Sequence, residues 1–264
     1  MSEERSAERL FNAFFGKPGA AHQPPPPPGD IPPLEEMLKA LVGIGERTFG
    51  RYAFSRDPLR GKFPAAEKDR LTVLANRCGR EYAAKLAERY HTGRPEELAK
   101  ALGMQVEYPM QPTGVTYVTF ARFTPPDKIS IYRHSLDKAN DLLAQEPVGK
   151  VMGNLAVQQV LLAHELFHVV EERNKKEIFT RTEKVKLWAP WPLRNRSTIR
   201  CLGEIAGMAF AGELTGLAYS PFVLDVFLIY GYSQAAAFKL YQELMELDES
   251  LHAPPHDTGE EAPD

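Results

Sequence analysis

Cysteine is nearly absent from this chain. Its 264 residues contain two, Cys78 and Cys201, far apart and in no CxxC pair. That argues against a disulfide framework and makes a reducing cytoplasm the expected compartment. Also missing is any run of roughly 18 uncharged apolar residues, the length a membrane span needs. The nearest approach, "PFVLDVFLIYGYSQAAAF", carries Asp225 and several polar groups and reads as a core helix. The amino terminus "MSEERSAERLFNAFF" lacks the basic region and apolar run of a secretory signal. A net charge of −3 gives no global pull toward nucleic acid or an anionic membrane, so neither is expected as a partner. What is present is the balance of a soluble globular protein, 43% apolar and 25% charged.

Proline punctuates the organisation. Residues 18–33, "PGAAHQPPPPPGDIPP", cannot build a packed core and read as an extended, polyproline-like spacer, so 1–33 is expected to be a disordered extension. Leu34, Met37, Leu38, Leu41 and Val42 recur at helical spacing, and 34–66 is taken as a helical linker of open affiliation. The compact domain is expected over 67–249. It would begin with one long helix or two through Tyr90, then a short helix stopped at Gly103. Three strand-like runs follow, "QVEYP", "GVTYVTFARF" and "KISIYR", the last two joined by the turn "TPPD". Next come a long helical stretch from about Ser135 to Ala156, a motif helix, a basic irregular segment, an apolar helix at 199–215 and a long helical region at 221–247. The tail 250–264 is acidic, proline-containing and expected to be disordered. This pattern is a mostly helical α+β fold with a small sheet.

The segment "QQVLLAHELFHVVEE" carries the chemistry. Residues i and i+4 lie about 40° apart around a helix, so His164 and His168 can present imidazole nitrogens to one metal ion. Glu165 is turned by about 100°, beside the metal, where it can take a proton from metal-bound water and pass it to a leaving amine. Zinc suits the role, one ion per chain, because it keeps an open position and acidifies its water. The flanking Val160 to Ala163 and Val169–Val170 look buried, and two histidines and a glutamate in such a helix are costly to desolvate unless paired or metallated.

A third ligand has to come from elsewhere, because Glu171 and Glu172 sit too close along the same helix to complete a tetrahedral site comfortably. The apolar helix offers Glu204 and Glu213, nine residues apart and hence on roughly opposite faces. Glu204 lies in the buried-looking stripe of Cys201, Ile205 and Met208, where a carboxylate needs a partner, and it is chosen as the ligand.

On these motifs the chain resembles the ImmA/IrrE metallopeptidases. "REYAAKLAERY" with "RPEELAKALGMQVEY" is similar to the family's opening helices and first strand, "LLAHELFHVVEE" to its active-site helix, and "GEIAGMAFAGEL" to its glutamate-bearing helix. The resemblance implies a zincin-like fold of the gluzincin kind, with a small antiparallel sheet beside the HExxH helix. It also implies zinc on His164, His168 and Glu204, with Glu165 as general base and acid. Characterised relatives are intracellular regulatory proteases that cut repressors with helix-turn-helix DNA-binding domains, so a regulatory protein of that kind is the implied substrate. Departures are Phe167 for the usual glycine, Gly207 for the usual alanine, the spacing of 36 positions from His168 to Glu204, and the long helical segment from about Ser135 to Ala156 before the motif.

That gap holds nine basic residues between Arg173 and Arg200 against Glu177 and Glu183, with Trp188 and Trp191 in the middle. A basic, aromatic loop beside a cleft could recruit an acidic partner; a solvated loop anchored by its tryptophans is the competing reading. Cys201 shares a helix face with Glu204 and is expected to be packing, not redox chemistry. Tyr132 and His134 could stabilise an oxyanion if the third strand borders the cleft. The alternative to a protease is a non-catalytic, metal-stabilised binding protein of the same fold.

Overall fold

Residues 65–90 are rich in strong helix formers and free of proline. They form one helix, Ala65–Tyr90, closed by His91 at φ 54°, in a computed structural model that describes residues 31–110, 119–188 and 195–253. The helices are α1 (Leu34–Leu41), α2 (Glu46–Arg56), α3 (Ala65–Tyr90), α4 (Pro95–Ala101), α5 (Arg133–Leu143), α6 (Glu146–Met152), α7 (Val157–Arg173), α8 (Phe179–Thr182), α9 (Cys201–Thr215), α10 (Val223–Tyr230) and α11 (Gln234–His252). Strands β1 (Gln105–Glu107), β2 (Ala121–Thr124) and β3 (Lys128–Ile131) form one sheet, and β4 (Lys184–Trp188) with β5 (Asn195–Thr198) a hairpin. The fold is mostly helical with a small sheet. Most of the Pro-rich extension, residues 111–118, Trp191 and the tail from 254 lie outside the described residues.

The sheet order is β1-β3-β2, and it is mixed, not antiparallel as expected. The tight turn after Thr124 makes β2 and β3 antiparallel, with Phe123 opposite Ile129. β1 takes the other edge of β3 in parallel, Val106 opposite Ile129, which the long connection 108–120 permits. Two expected helices are each divided. The stretch 135–156 becomes α5 and α6, where Pro147 at the start of α6 forbids a continuous ladder. The stretch 221–247 becomes α10 and α11, separated by Gly231–Ser233, with the Ser233 hydroxyl accepting from Ala236 N–H as an N-cap.

Residues 34–56 are not an outlying linker. Met37, Leu38, Leu41, Phe49, Tyr52 and Phe54 are buried in the same core as α7 and α9, so among the described residues the core already includes Leu34, ahead of the expected start at Glu67. Asp57, just after α2, is fully buried and caps α9: its Oδ2 accepts from Cys201 N–H at 2.9 Å, satisfying an orphan donor at that helix's start.

At the centre lie three packed helices, with α9 between α3 and α7, and the sheet against the far side of α7. α7 and α9 are buried on most of their faces, and α9 is apolar nearly all round, as a helix covered on several sides must be. Backbone approach is close enough that a Cβ at Gly79 of α3 would fall 2.1 Å from the Ala206 carbonyl oxygen of α9. We expect Gly79→Ala to destabilise the protein by about 1–3 kcal/mol through overpacking, despite alanine's higher helix propensity. Urea unfolding measures it, and an unchanged midpoint would show that the two helices separate freely.

Candidate metal site

The helical repeat places His164 and His168 one turn apart on α7, with their Nε2 atoms 3.1 Å from each other. α9 brings Glu204 over them: its Oε2 lies 3.3 Å from His164 Nε2 and its Oε1 3.7 Å from His168 Nε2. The three ligand atoms fall within 4.8 Å of one another, a cluster that could hold a metal ion. A tetrahedron with bonds of about 2.0–2.1 Å has edges of about 3.3 Å, so two imidazoles and a carboxylate at these separations fit a tetrahedral ion. Glu213 is exposed and absent from the cluster, as the opposite-face argument requires.

Small residues on α9 make the convergence possible. A Cβ at Gly207 would come within 3.1 Å of Cε1 and Nδ1 of His164 and 3.5 Å of Phe167. Phe167 is fully buried against Phe210, 5.6 Å between ring centroids. Phe167 thus borders the gap left at Gly207: the bulk stands on α7 and the gap on α9.

Glu165 is buried beside this cluster, and its Oε2 accepts from Phe123 N–H of β2 at 2.6 Å. β2 is an edge strand, so this amide is not used by the sheet on that side. Sequence reasoning missed this contact, since no periodicity relates positions 42 apart.

It also missed a supporting carboxylate. Glu171 is buried, and its Oε2 lies 3.6 Å from His168 Nδ1 and 3.0 Å from the Arg181 guanidinium, while Oε1 accepts from the Thr180 hydroxyl at 2.6 Å. The i, i+3 spacing from His168 was the available signal. A ligating histidine ordinarily gives its other nitrogen to such a group. A Cβ at Gly203 would lie 2.9 Å from Glu171 Oε1, so glycine preserves that place too. The basic segment thus serves the fold in part: Arg181 neutralises Glu171, Arg173 donates to the Leu102 carbonyl, and Lys175 pairs with Glu172.

Burial works against a charge on His168, but Glu204 foremost, then Glu171 and Glu165, outweigh it and carry its pKa up to about 9. Burial pushes Glu204 up, yet His168 and His164 hold it below the usual carboxylate range. Glu171 is likewise raised by burial and brought down further by His168 and Arg181. Asp225 of α10, buried beside the site, is pushed up to about 7 by desolvation, against the Tyr52 hydrogen bond and the Arg56 charge.

Other expected residues stand apart. Cys201 is fully buried, its thiol pushed well up by burial and then by Asp57, in keeping with packing. His134 is exposed, edge-on to Tyr232 at 5.7 Å. Tyr132 donates its N–H to the Phe120 carbonyl at the sheet's end. Among the described residues no helix is long and apolar enough to cross a membrane. The chain matches no family model, no curated protein and no solved structure.

A folded pKa above the ordinary 6.5 means that the His168 charge stabilises the metal-free fold fully below that value, and the contribution is lost as pH rises through about 9. A ligand must be neutral, so zinc binding at pH 7 should release about one proton, and affinity should rise about tenfold per pH unit up to about 9. Calorimetry in buffers of different ionisation enthalpy checks this. Zero proton release would mean that His168 does not ligate.

Proposed function

We propose that this chain is a zinc-dependent, cytoplasmic endopeptidase of the ImmA/IrrE type, with a zincin-like fold. The observation that carries the reading is the placement of Glu165, a carboxylate tethered by one oxygen to an edge strand, directly beside the His164–His168–Glu204 cluster. A structural metal site has no use for that fourth group.

His164, His168 and Glu204 would hold the ion. Zinc supplies Lewis acidity, polarising a peptide carbonyl and lowering the pKa of a water molecule. The rest is the work of the chain. Phe123 N–H holds Glu165 Oε2, which leaves Oε1 to take a proton from the attacking water. As the water oxygen bonds to the carbonyl carbon and the C–N bond breaks, Glu165 returns that proton to the departing amine, so it ends as it began. Glu171, backed by Arg181 and Thr180, keeps the His168 ring oriented. The buried setting strengthens each of these interactions relative to water. A regulatory protein, of the repressor kind that the resemblance implies, is the proposed substrate, with the basic segment after α7 as a place for its acidic residues.

The test pairs two variants with trapping of a substrate from the native host. Glu165→Gln should keep about one zinc per chain and hold substrate while losing cleavage by 10²-fold or more, on the order of general-base contributions. Glu204→Gln should lose zinc. Cellular activity retained by Glu165→Gln would favour the non-catalytic, metal-stabilised binding protein instead.

A further inference from the structure

His164 makes an incomplete set of contacts for a metal ligand. Its Nε2 faces His168 and Glu204, while Nδ1, on the side away from them, is buried and bonded to no protein atom. His168, by contrast, has Glu171 at its second nitrogen. A ligating imidazole whose other N–H lacks an acceptor is free to change tautomer and orientation, which weakens its hold on the metal.

A small cavity of about 30 Å³ lies against this histidine, walled by apolar side chains and by three polar ones, His164, Glu165 and Asp225. A water needs at least about 10–15 Å³ of such space, which this cavity offers, and His164, Glu165 and Asp225 are the polar side chains on its wall. Asp225 is buried at 4% exposure and held in place: its Oδ2 accepts from Tyr52 O–H at 2.9 Å, and the Arg56 guanidinium lies 3.5 Å over the Tyr52 ring while paired with Glu243. A carboxylate buried at this depth is expensive, and nothing in core packing calls for one on an otherwise apolar helix such as α10.

We propose that Asp225 is a positioning residue of the metal centre: through one water in this cavity it accepts the His164 Nδ1 proton, fixing the tautomer that presents Nε2 to the ion. Tyr52 locks the carboxylate at the correct angle, which ties α2, far away in the chain, to the metal. The two histidines are then served by two different carboxylates, Glu171 directly and Asp225 through water. This inference rests on the reading of His164 as a metal ligand.

The experiment titrates Zn²⁺, against a competing chelator, into wild type, Glu204→Gln, Asp225→Asn and Tyr52→Phe, each also melted without metal. Cobalt spectra of the same proteins report the ligand field. Asp225→Asn should bind zinc 10–100-fold more weakly and shift the cobalt bands, while its metal-free Tm stays level or rises because a buried charge is gone. Tyr52→Phe, which keeps the carboxylate but frees it, should weaken binding severalfold, and it decides the matter if Asp225→Asn does not fold. Wild-type affinity and cobalt spectrum in both variants, whatever their Tm, would overturn the role of Asp225 and leave the metal site standing. No zinc uptake by wild type would overturn the site reading and this inference together.

Discussion

The close approach of α9 to α7 is the constraint on which the site depends. Glu204 must reach two imidazoles on a neighbouring helix, which full-sized side chains at the contact would prevent. Gly203 and Gly207 flank it one turn apart, the first giving room to the Glu171 carboxylate and the second to the His164 ring. On its other side α9 is pressed against α3 through Gly79. Movement of α9 away from α7 to relieve a clash is therefore blocked by backbone, and the position of Glu204 is over-determined by packing. The Asp57 cap sets the start of the same helix, three residues before Glu204.

Charge balance is the second requirement. Four carboxylates, Glu165, Glu171, Glu204 and Asp225, are gathered in or beside a largely apolar core, and each has a defined donor or cation. Without such partners they would be driven neutral or would unfold the region. The partners come from distant parts of the chain: an edge-strand amide, an arginine from the segment after α7, and a tyrosine from α2. The metal-free cluster balances itself by protonating His168, which is also what a bound cation would replace.

This explains why two segments that looked like accessories belong to the centre. Residues 34–66 provide Asp57, Tyr52 and Arg56, so they shape α9 and the surroundings of Asp225. The basic stretch after α7 provides Arg181 and Thr180 to Glu171. Neither contribution follows from hydropathy, because a polar side chain on a half-exposed element looks alike whether it faces solvent or a buried carboxylate.

The sequence by itself determined the local geometry: a helix with His164, His168 and Glu165 at angles dictated by 3.6 residues per turn, and Glu204 in preference to Glu213 because only one face of an apolar helix can meet the core. It also marked 67–90 as helical, one helix or two, and placed the turn between β2 and β3, and the structure makes the helix one. Only the tertiary structure decided the parallel partner of β3, the division of two long helical stretches, the fit of Phe167 to the gap at Gly207, and the partners of His168 and Glu165. Those features are contacts between positions far apart, 42 residues for Phe123 and Glu165 and 173 for Tyr52 and Asp225. Periodicity describes one element at a time, whereas these pairs exist only because packing brings separate elements to the same place.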